Sequence, residues 1–237
     1  MPSLTSAASP APRFADFYAV HRGGGLYSAA LSQRLGAAIA LVAARLGLTP
    51  AVLTLANLVI GLASSVTVIA TAPAVAGGRT AAWVAGLVAL LGWQLAYAFD
   101  CADGQLARVT GQASPTGARL DILADVAAQI ALVTALAAVT IAQRPATPVW
   151  LLVAFAGCWM VNLVTSVLAT GPQGQSLTTS TALPIQVVKL VRDYGAVIAV
   201  SGLVLIFAPA LAFGLVLAFT VVNGGFLLAS IAAAARG

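Results

Sequence analysis

Four aspartates that lie close together in the sequence are the residues best suited to do chemistry. Asp100 and Asp103 are spaced i, i+3, and Asp121 and Asp125 are spaced i, i+4, so each pair projects from one face of a helix. One aspartate at the centre of a bilayer costs about 2.5–3.5 kcal/mol. We therefore expect the two helices to form an antiparallel hairpin that brings both pairs to the same depth in one polar cavity.

Carboxylates that converge in this way repel each other unless cations lie between them. Sites built only of oxygen ligands suit hard ions such as Mg²⁺, Mn²⁺ or Ca²⁺, and four carboxylates have room for two ions. A two-ion site is typical of phosphoryl transfer, where it neutralises a diphosphate and stabilises the attacking and leaving oxygens. Gly104 and Arg108 follow on the next turn and offer an open backbone and a cationic fork for phosphate.

The plain structural alternative is that the aspartates form ion pairs with Arg108 and Arg119. Two arginines neutralise only two of the four carboxylates, so this alternative leaves the other two unexplained. The cluster therefore favours a divalent-metal site that acts on phosphate.

The elements that position these residues must lie in a membrane. The chain is 61% hydrophobic and 7% charged, with a mean hydropathy of +1.02, whereas soluble domains carry about 25% charged residues. This composition excludes a water-soluble globular domain. The net charge of +5 does not indicate a nucleic-acid partner, because the basic residues lie mostly between apolar runs, where they set membrane orientation.

The sequence predicts an all-α integral membrane fold with six transmembrane helices preceded by an interfacial N-terminal helix. A span needs about 20 apolar residues, and turn formers such as Pro73 and Pro209 separate the apolar runs. The predicted spans are residues 51–72, 81–104, 117–142, 148–170, 190–208 and 211–233.

The first part of the chain is expected to lie outside the spans. Residues 1–27 form a polar N-terminal segment, and residues 28–237 form a single membrane domain. The apolar run within residues 28–47 is bracketed by Arg34 and Arg45 and is too short to cross hydrocarbon. A helix in the interface is the favoured interpretation, and an unusually short first span is the alternative.

The distribution of basic residues predicts the orientation. With the N-terminus in the cytoplasm, that side holds nine basic residues, and the outer side holds only Arg79 and Arg144. We therefore expect an enzyme of the cytoplasmic (plasma) membrane whose aspartate cluster and N-terminus face the cytoplasm.

The residues between positions 100 and 125 also match a family pattern. They read D-x-x-D-G-x-x-A-R-x8-G-x3-D-x3-D, from Asp100 to Asp125. This resembles the signature of the CDP-alcohol phosphatidyltransferases at every fixed position, and the six-span plan is similar to that family as well. One departure precedes the signature: Ala51 follows Pro50, where the family often has Asn, while Thr54 and Asn57 supply the polar side chains of the first span.

The resemblance implies a reaction and a role for each matching residue. The enzyme would transfer a phosphatidyl-type group from a CDP-lipid, such as CDP-diacylglycerol, to an alcohol, release CMP, and serve phospholipid biosynthesis. Asp125 would be the general base for the acceptor hydroxyl. The metal ligands for two Mg²⁺ or Mn²⁺ ions would be Asp100, Asp103, Asp121 and Asp125, and the nucleotide-binding residues would be Gly104, Ala107, Arg108 and Gly117.

The acceptor is not specified by the signature. Lys189, Arg192 and Arg119 are candidates to bind a substrate phosphate, with membrane anchoring as the plain alternative. The acceptor is therefore a small alcohol or a phosphorylated alcohol. The resemblance also implies a homodimer.

Two other functions use similar residues. An intramembrane prenyltransferase binds diphosphates through aspartate-bound Mg²⁺, but it usually needs two separated aspartate-rich motifs. A cation transporter could use the carboxylates as an ion site, but such sites tend to lie near the bilayer midplane with broken helices or repeats. Metal-dependent release of CMP from a CDP-lipid distinguishes the first function from both.

Overall fold

A computed structural model of the protein describes residues 11–169 and 193–234. These residues form nine α-helices and one short 3₁₀ turn, Pro209–Leu211, and contain no strand. The helices are α1 (Phe14–Ala19), α2 (Leu26–Ala30), α3 (Ser32–Arg45), α4 (Pro50–Ala76), α5 (Ala82–Val109), α6 (Pro115–Gln143), α7 (Val149–Ala169), α8 (Tyr194–Phe207) and α9 (Ala212–Ala234).

Several of these helices are long and apolar enough to cross a bilayer. Within the described ranges five segments meet this requirement: Leu26–Arg45, Pro50–Ala76, Ala82–Val109, Pro115–Gln143 and Pro209–Leu228. Two further apolar helices, Val149–Val164 and Tyr194–Phe207, are shorter. The chain is therefore an all-helical integral membrane protein, as its composition predicts.

Six spans are predicted from the sequence, whereas five candidate spans are found among the described residues. The segment predicted to lie in the interface forms α2 and α3, and together they are long and apolar enough to count among the five. The helix predicted over residues 190–208 is described only from Tyr194, which leaves it short. The six-span count and the interfacial position of the first helix stay predictions.

The hairpin of α5 and α6 is built by local sequence signals. Gly111 has a φ of +69°, a left-handed conformation that glycine adopts without strain, directly after α5 ends. Pro115 then starts α6, and the Ser114 hydroxyl accepts a hydrogen bond from the backbone N–H of Gly117 at 3.0 Å. The short connection makes the two helices antiparallel and places the end of α5 beside the start of α6.

Small residues let the other helices approach α5 closely. A Cβ atom added to Gly36 of α3 would lie 2.8 Å from Cys101 Cβ. One added to Gly86 of α5 would lie 2.4 Å from the backbone nitrogen of Ile206 in α8. These contacts fix α3 and α8 against α5. Between α7 and α9 the contact is aromatic: the rings of Phe155, Trp159 and Phe219 pack against one another.

Not all apolar residues are buried. Ile122 and Leu123, which directly follow Asp121 in α6, are 40% and 67% exposed. Exposed apolar side chains of this kind are expected on the membrane-facing surface of an integral membrane protein.

The close contact of α5 with α8 gives a first prediction. Gly86→Ala puts a methyl group against the backbone of Ile206, and overpacking of this kind costs about 1–3 kcal/mol. We expect the Tm of the purified protein in detergent to fall by about 2–10 °C. Gly157→Ala in α7 is the matched control, because no other atom lies within 4 Å of the added Cβ. Equal Tm values for both variants would contradict the packing.

Candidate active site

The hairpin brings three of the aspartates together. Asp100 and Asp103 lie near the end of α5, and Asp121 lies in the second turn of α6. Each offers a carboxylate oxygen, and the three oxygens lie within 4.8 Å of one another. A group of this size fits around one hard cation, whose oxygen ligands lie about 2.0–2.6 Å away.

Asp125 stands beside this group through its neighbour Asp100. Both residues line a small cavity together with Asn57, Tyr97 and Tyr194. Asp125 lies one turn after Asp121 on the same face of α6. Asp125 therefore has a position at the edge of the cluster, adjacent to the three grouped carboxylates.

Helix α4 supplies hydrogen bonds that orient two of the aspartates. The hydroxyl of Thr54 donates to Asp103 Oδ2 at 2.5 Å. The Asn57 side-chain amide donates to Asp100 Oδ1 at a longer 3.4 Å. Both donors are buried, so the polar residues of the predicted first span position carboxylates of the second.

The residues present fit a divalent cation. Asp121 Oδ1 is buried and has no hydrogen-bond partner among the residues that the structure describes. A buried, unsatisfied carboxylate oxygen is costly, and a cation held between the three carboxylates removes that cost. The alternative of pairing with arginines is not favoured, since Arg108 Nε donates to the Val20 carbonyl at 2.9 Å and Arg119 is exposed.

A cavity of about 200 Å³ opens beside the cluster. Its lining combines acidic, basic and very small residues from α4, α5, α6 and the N-terminal segment. The lining includes all four residues expected to bind the nucleotide, which are Gly104, Ala107, Arg108 and Gly117. It also includes Asp103 and Asp121. A Cβ atom at Gly104 would lie 2.9 Å from Arg108 Nη1, so glycine at this position leaves room for the guanidinium.

The structure also shows where the other predicted phosphate-binding residues lie. Arg119 is exposed and is not part of this cavity wall. Lys189 and Arg192 lie outside the described residues, as does the whole segment predicted between the fourth and fifth spans, residues 171–189. Their roles stay predictions.

One basic residue of the cavity was not found by sequence reasoning. Arg22 lines the same wall as Asp103 and Arg108, although it lies 81 positions before Asp103 in the chain. In the sequence, Arg22 is one of the nine basic residues whose distribution predicts the orientation in the membrane. No local signal marks it, because its place in the cavity depends on how the N-terminal segment folds back onto α5.

A second cavity, of about 250 Å³, adjoins the small cavity that contains Asp100 and Asp125. Tyr97 and Tyr194 line both of them, and their rings meet edge to face at 4.9 Å. Gln129, one turn beyond Asp125 in α6, accepts a hydrogen bond from Trp159 Nε1 at 2.8 Å. The two larger cavities differ in character: one is lined by arginines, and the other by amide and aromatic side chains and the carboxylate of Asp193.

These features define a helical membrane protein in which three carboxylates that could hold a metal ion lie next to a cavity with basic and very small residues. Residues 47–229 match the CDP-alcohol phosphatidyltransferases, and the chain belongs to that family. The protein is therefore a phosphotransferase, which decides against the prenyltransferase and the cation transporter. Comparison with curated proteins gives no match.

The hydrogen bond from Thr54 gives a second prediction. Thr54→Val keeps the side-chain shape and removes the donor to Asp103. Loss of a residue that orients a metal ligand typically lowers metal affinity about 10–100-fold. We expect Mn²⁺ binding, measured by electron paramagnetic resonance, to weaken by at least about tenfold. Thr67→Val is the control from the same helix, because its hydroxyl bonds only to the Ala63 carbonyl; an equal Mn²⁺ affinity in both variants would refute the role of Thr54.

Proposed function

We propose that this protein transfers a phosphatidyl-type group from a CDP-lipid, such as CDP-diacylglycerol, to an alcohol and releases CMP in phospholipid biosynthesis. The observation that carries the proposal is the grouping of three aspartate carboxylates within 4.8 Å. Directly beside them lies a cavity lined by four further residues of the family signature, Gly104, Ala107, Arg108 and Gly117. The family supplies the reaction class, and the site supplies residues for each part of the reaction.

Asp100, Asp103, Asp121 and Asp125 would hold two divalent ions, Mg²⁺ or Mn²⁺. Bound there, the ions would neutralise the diphosphate and stabilise the charge that develops on the oxygens around phosphorus. The unpartnered Oδ1 of Asp121 supports this assignment. Thr54 and Asn57 keep two of the carboxylates oriented before the donor binds.

The cytidine diphosphate would bind in the cavity that contains Arg108. The missing side chains of Gly104 and Gly117 and the small one of Ala107 let the nucleotide approach the helix backbones closely. The guanidinium of Arg108 would provide charge-assisted hydrogen bonds to a phosphate. The lipid part of the donor would lie outside, along the exposed side of α6 near Leu123.

The acceptor alcohol would reach the aspartates from the second cavity. Its hydroxyl proton passes to a carboxylate oxygen of Asp125, and its oxygen forms a bond to the phosphorus attached to the lipid. The bond from that phosphorus to the oxygen of CMP breaks, and CMP leaves with the electron pair. The position of Asp125 supports this role, because it lines the small cavity together with Asp100 and lies one turn before Gln129, which lines the second cavity.

The nature of the acceptor depends on whether the candidate basic residues of the chain bind a phosphate group. If Lys189, Arg192 or Arg119 binds phosphate, a phosphorylated acceptor such as inositol phosphate or glycerol phosphate is favoured over a neutral alcohol. The full proposal places the N-terminus and the site at the cytoplasmic side of the plasma membrane, in a six-span homodimer with an interfacial first helix.

The proposed reaction is tested by release of CMP from CDP-diacylglycerol by the purified protein. We expect release with Mg²⁺ or Mn²⁺ and one member of a panel of acceptor alcohols, and no release with chelator, because the carboxylates need the ions to bind a diphosphate. Release that persists in chelator would contradict the metal requirement. Failure with every acceptor, together with failure to bind any cytidine nucleotide, would overturn the proposed function.

A further prediction concerns the general base. Asp125→Asn keeps the size of the side chain but cannot take the proton, so we expect kcat to fall by about 10²–10⁴-fold while donor binding is largely kept. Asp103→Asn, at a grouped carboxylate, should instead weaken metal and nucleotide binding together. Asp16→Asn is the control, because Asp16 is exposed and bonds only within α1's first turn. Wild-type turnover by Asp125→Asn would remove the base assignment.

A further inference from the structure

Arg22 belongs to a part of the chain that the family match does not include. The match begins at residue 47, whereas Arg22 lies between α1 and α2. Its exposed side chain nevertheless lines the cavity that also contains Asp103, Gly104 and Arg108. The N-terminal segment thus contributes a charged group to the proposed donor site.

Two side chains, the half-buried Arg108 and the buried Gln33, hold the backbone around Arg22 against the helices. Arg108 Nε donates to the carbonyl of Val20 at 2.9 Å, two residues before Arg22. Gln33 Nε2 donates to the carbonyl of Arg22 itself at 3.2 Å. Gln33 in turn accepts a hydrogen bond from Gln105 Nε2 at 2.7 Å, so the segment is bonded to both α3 and α5.

The chain after Arg22 is fixed as well. Gly23 and Gly24 have φ values of +70° and +83°, a conformation that favours glycine, and they turn the chain into α2. A Cβ atom at Gly25 would lie 2.5 Å from Asp193 Oδ2. The backbone N–H of Ser28 donates to the same oxygen at 3.0 Å, and the Ser28 hydroxyl donates to Asp193 Oδ1. Arg22 is therefore held between two anchored points.

The cavity has two cationic groups beside the two carboxylates that are expected to hold metal ions. Arg22 and Arg108 are the two basic residues among its described lining, and Asp103 and Asp121 are the two acidic ones, so both guanidinium groups share the space next to the proposed ions. Bringing two cations together is unfavourable unless an anion lies between them. Guanidinium groups bind phosphate oxygens through paired, charge-assisted hydrogen bonds, and a diphosphate offers two phosphates for two arginines.

We propose that Arg22 binds the diphosphate of the donor together with Arg108, so that the N-terminal segment completes the donor site. This inference rests on the proposed function, which supplies the CDP-lipid. Arg22 is a binding residue in this scheme: it contacts the diphosphate and contributes little to recognition of cytidine.

The test compares binding of CDP, CMP and cytidine to detergent-purified protein with Mg²⁺, by isothermal titration calorimetry. Because a charge-assisted hydrogen bond is lost, Arg22→Gln should weaken CDP binding by about 10–100-fold and leave cytidine binding unchanged. Arg45→Gln removes the same charge from an exposed position at the end of α3. That control should keep the wild-type affinity for CDP.

The outcomes separate this inference from the function on which it rests. If the wild-type protein binds CDP and Arg22→Gln binds it equally well, the role of Arg22 is overturned and the proposed function is not. The same holds if Arg45→Gln weakens CDP binding as much as Arg22→Gln does. A parallel loss of cytidine binding in Arg22→Gln would show a structural role and overturn it too. Absence of CDP binding in the wild-type protein would overturn both proposals.

Discussion

The arrangement of this protein depends on keeping several carboxylates together at the ends of two apolar helices. Asp100, Asp103 and Asp121 are partly or fully shielded from solvent, where mutual repulsion and loss of hydration both raise the free energy of the charged groups. A divalent cation relieves both costs. The short α5–α6 connection and the hydrogen-bond donors on α4 both hold these carboxylate oxygens in place.

Around this cluster the helices divide the polar interior into two parts. The cavity near Gly104 and Gly117 has arginines and open backbone, which suit a charged nucleotide. The cavity near Gln129 and Trp159 has neutral hydrogen-bonding groups and one carboxylate, Asp193. In the proposed reaction, donor and acceptor would approach the phosphorus from separate sides, as an in-line displacement requires, and Asp125 would act between them.

The sequence was most informative where the signal is local. Long apolar runs predicted the helices, and the fixed spacing from Asp100 to Asp125 predicted the hairpin. The ends of helices were less accurate: α5 continues to Val109 rather than residue 104, because helical hydrogen bonding extends beyond the apolar run and carries Arg108. Arg22 and the bond from Ser28 to Asp193 could not be predicted, since they join residues up to 165 positions apart and depend on tertiary packing alone.

The exposed side chains of Ile122 and Leu123 next to Asp121 have a consequence for traffic through the enzyme. In the proposed reaction, a CDP-lipid whose phosphates reach the aspartates would keep its acyl chains among those of the bilayer and would not have to leave the membrane. Donor and product would then exchange by lateral diffusion in two dimensions. A water-soluble acceptor and CMP would need an aqueous route, so the two kinds of substrate would arrive from different phases.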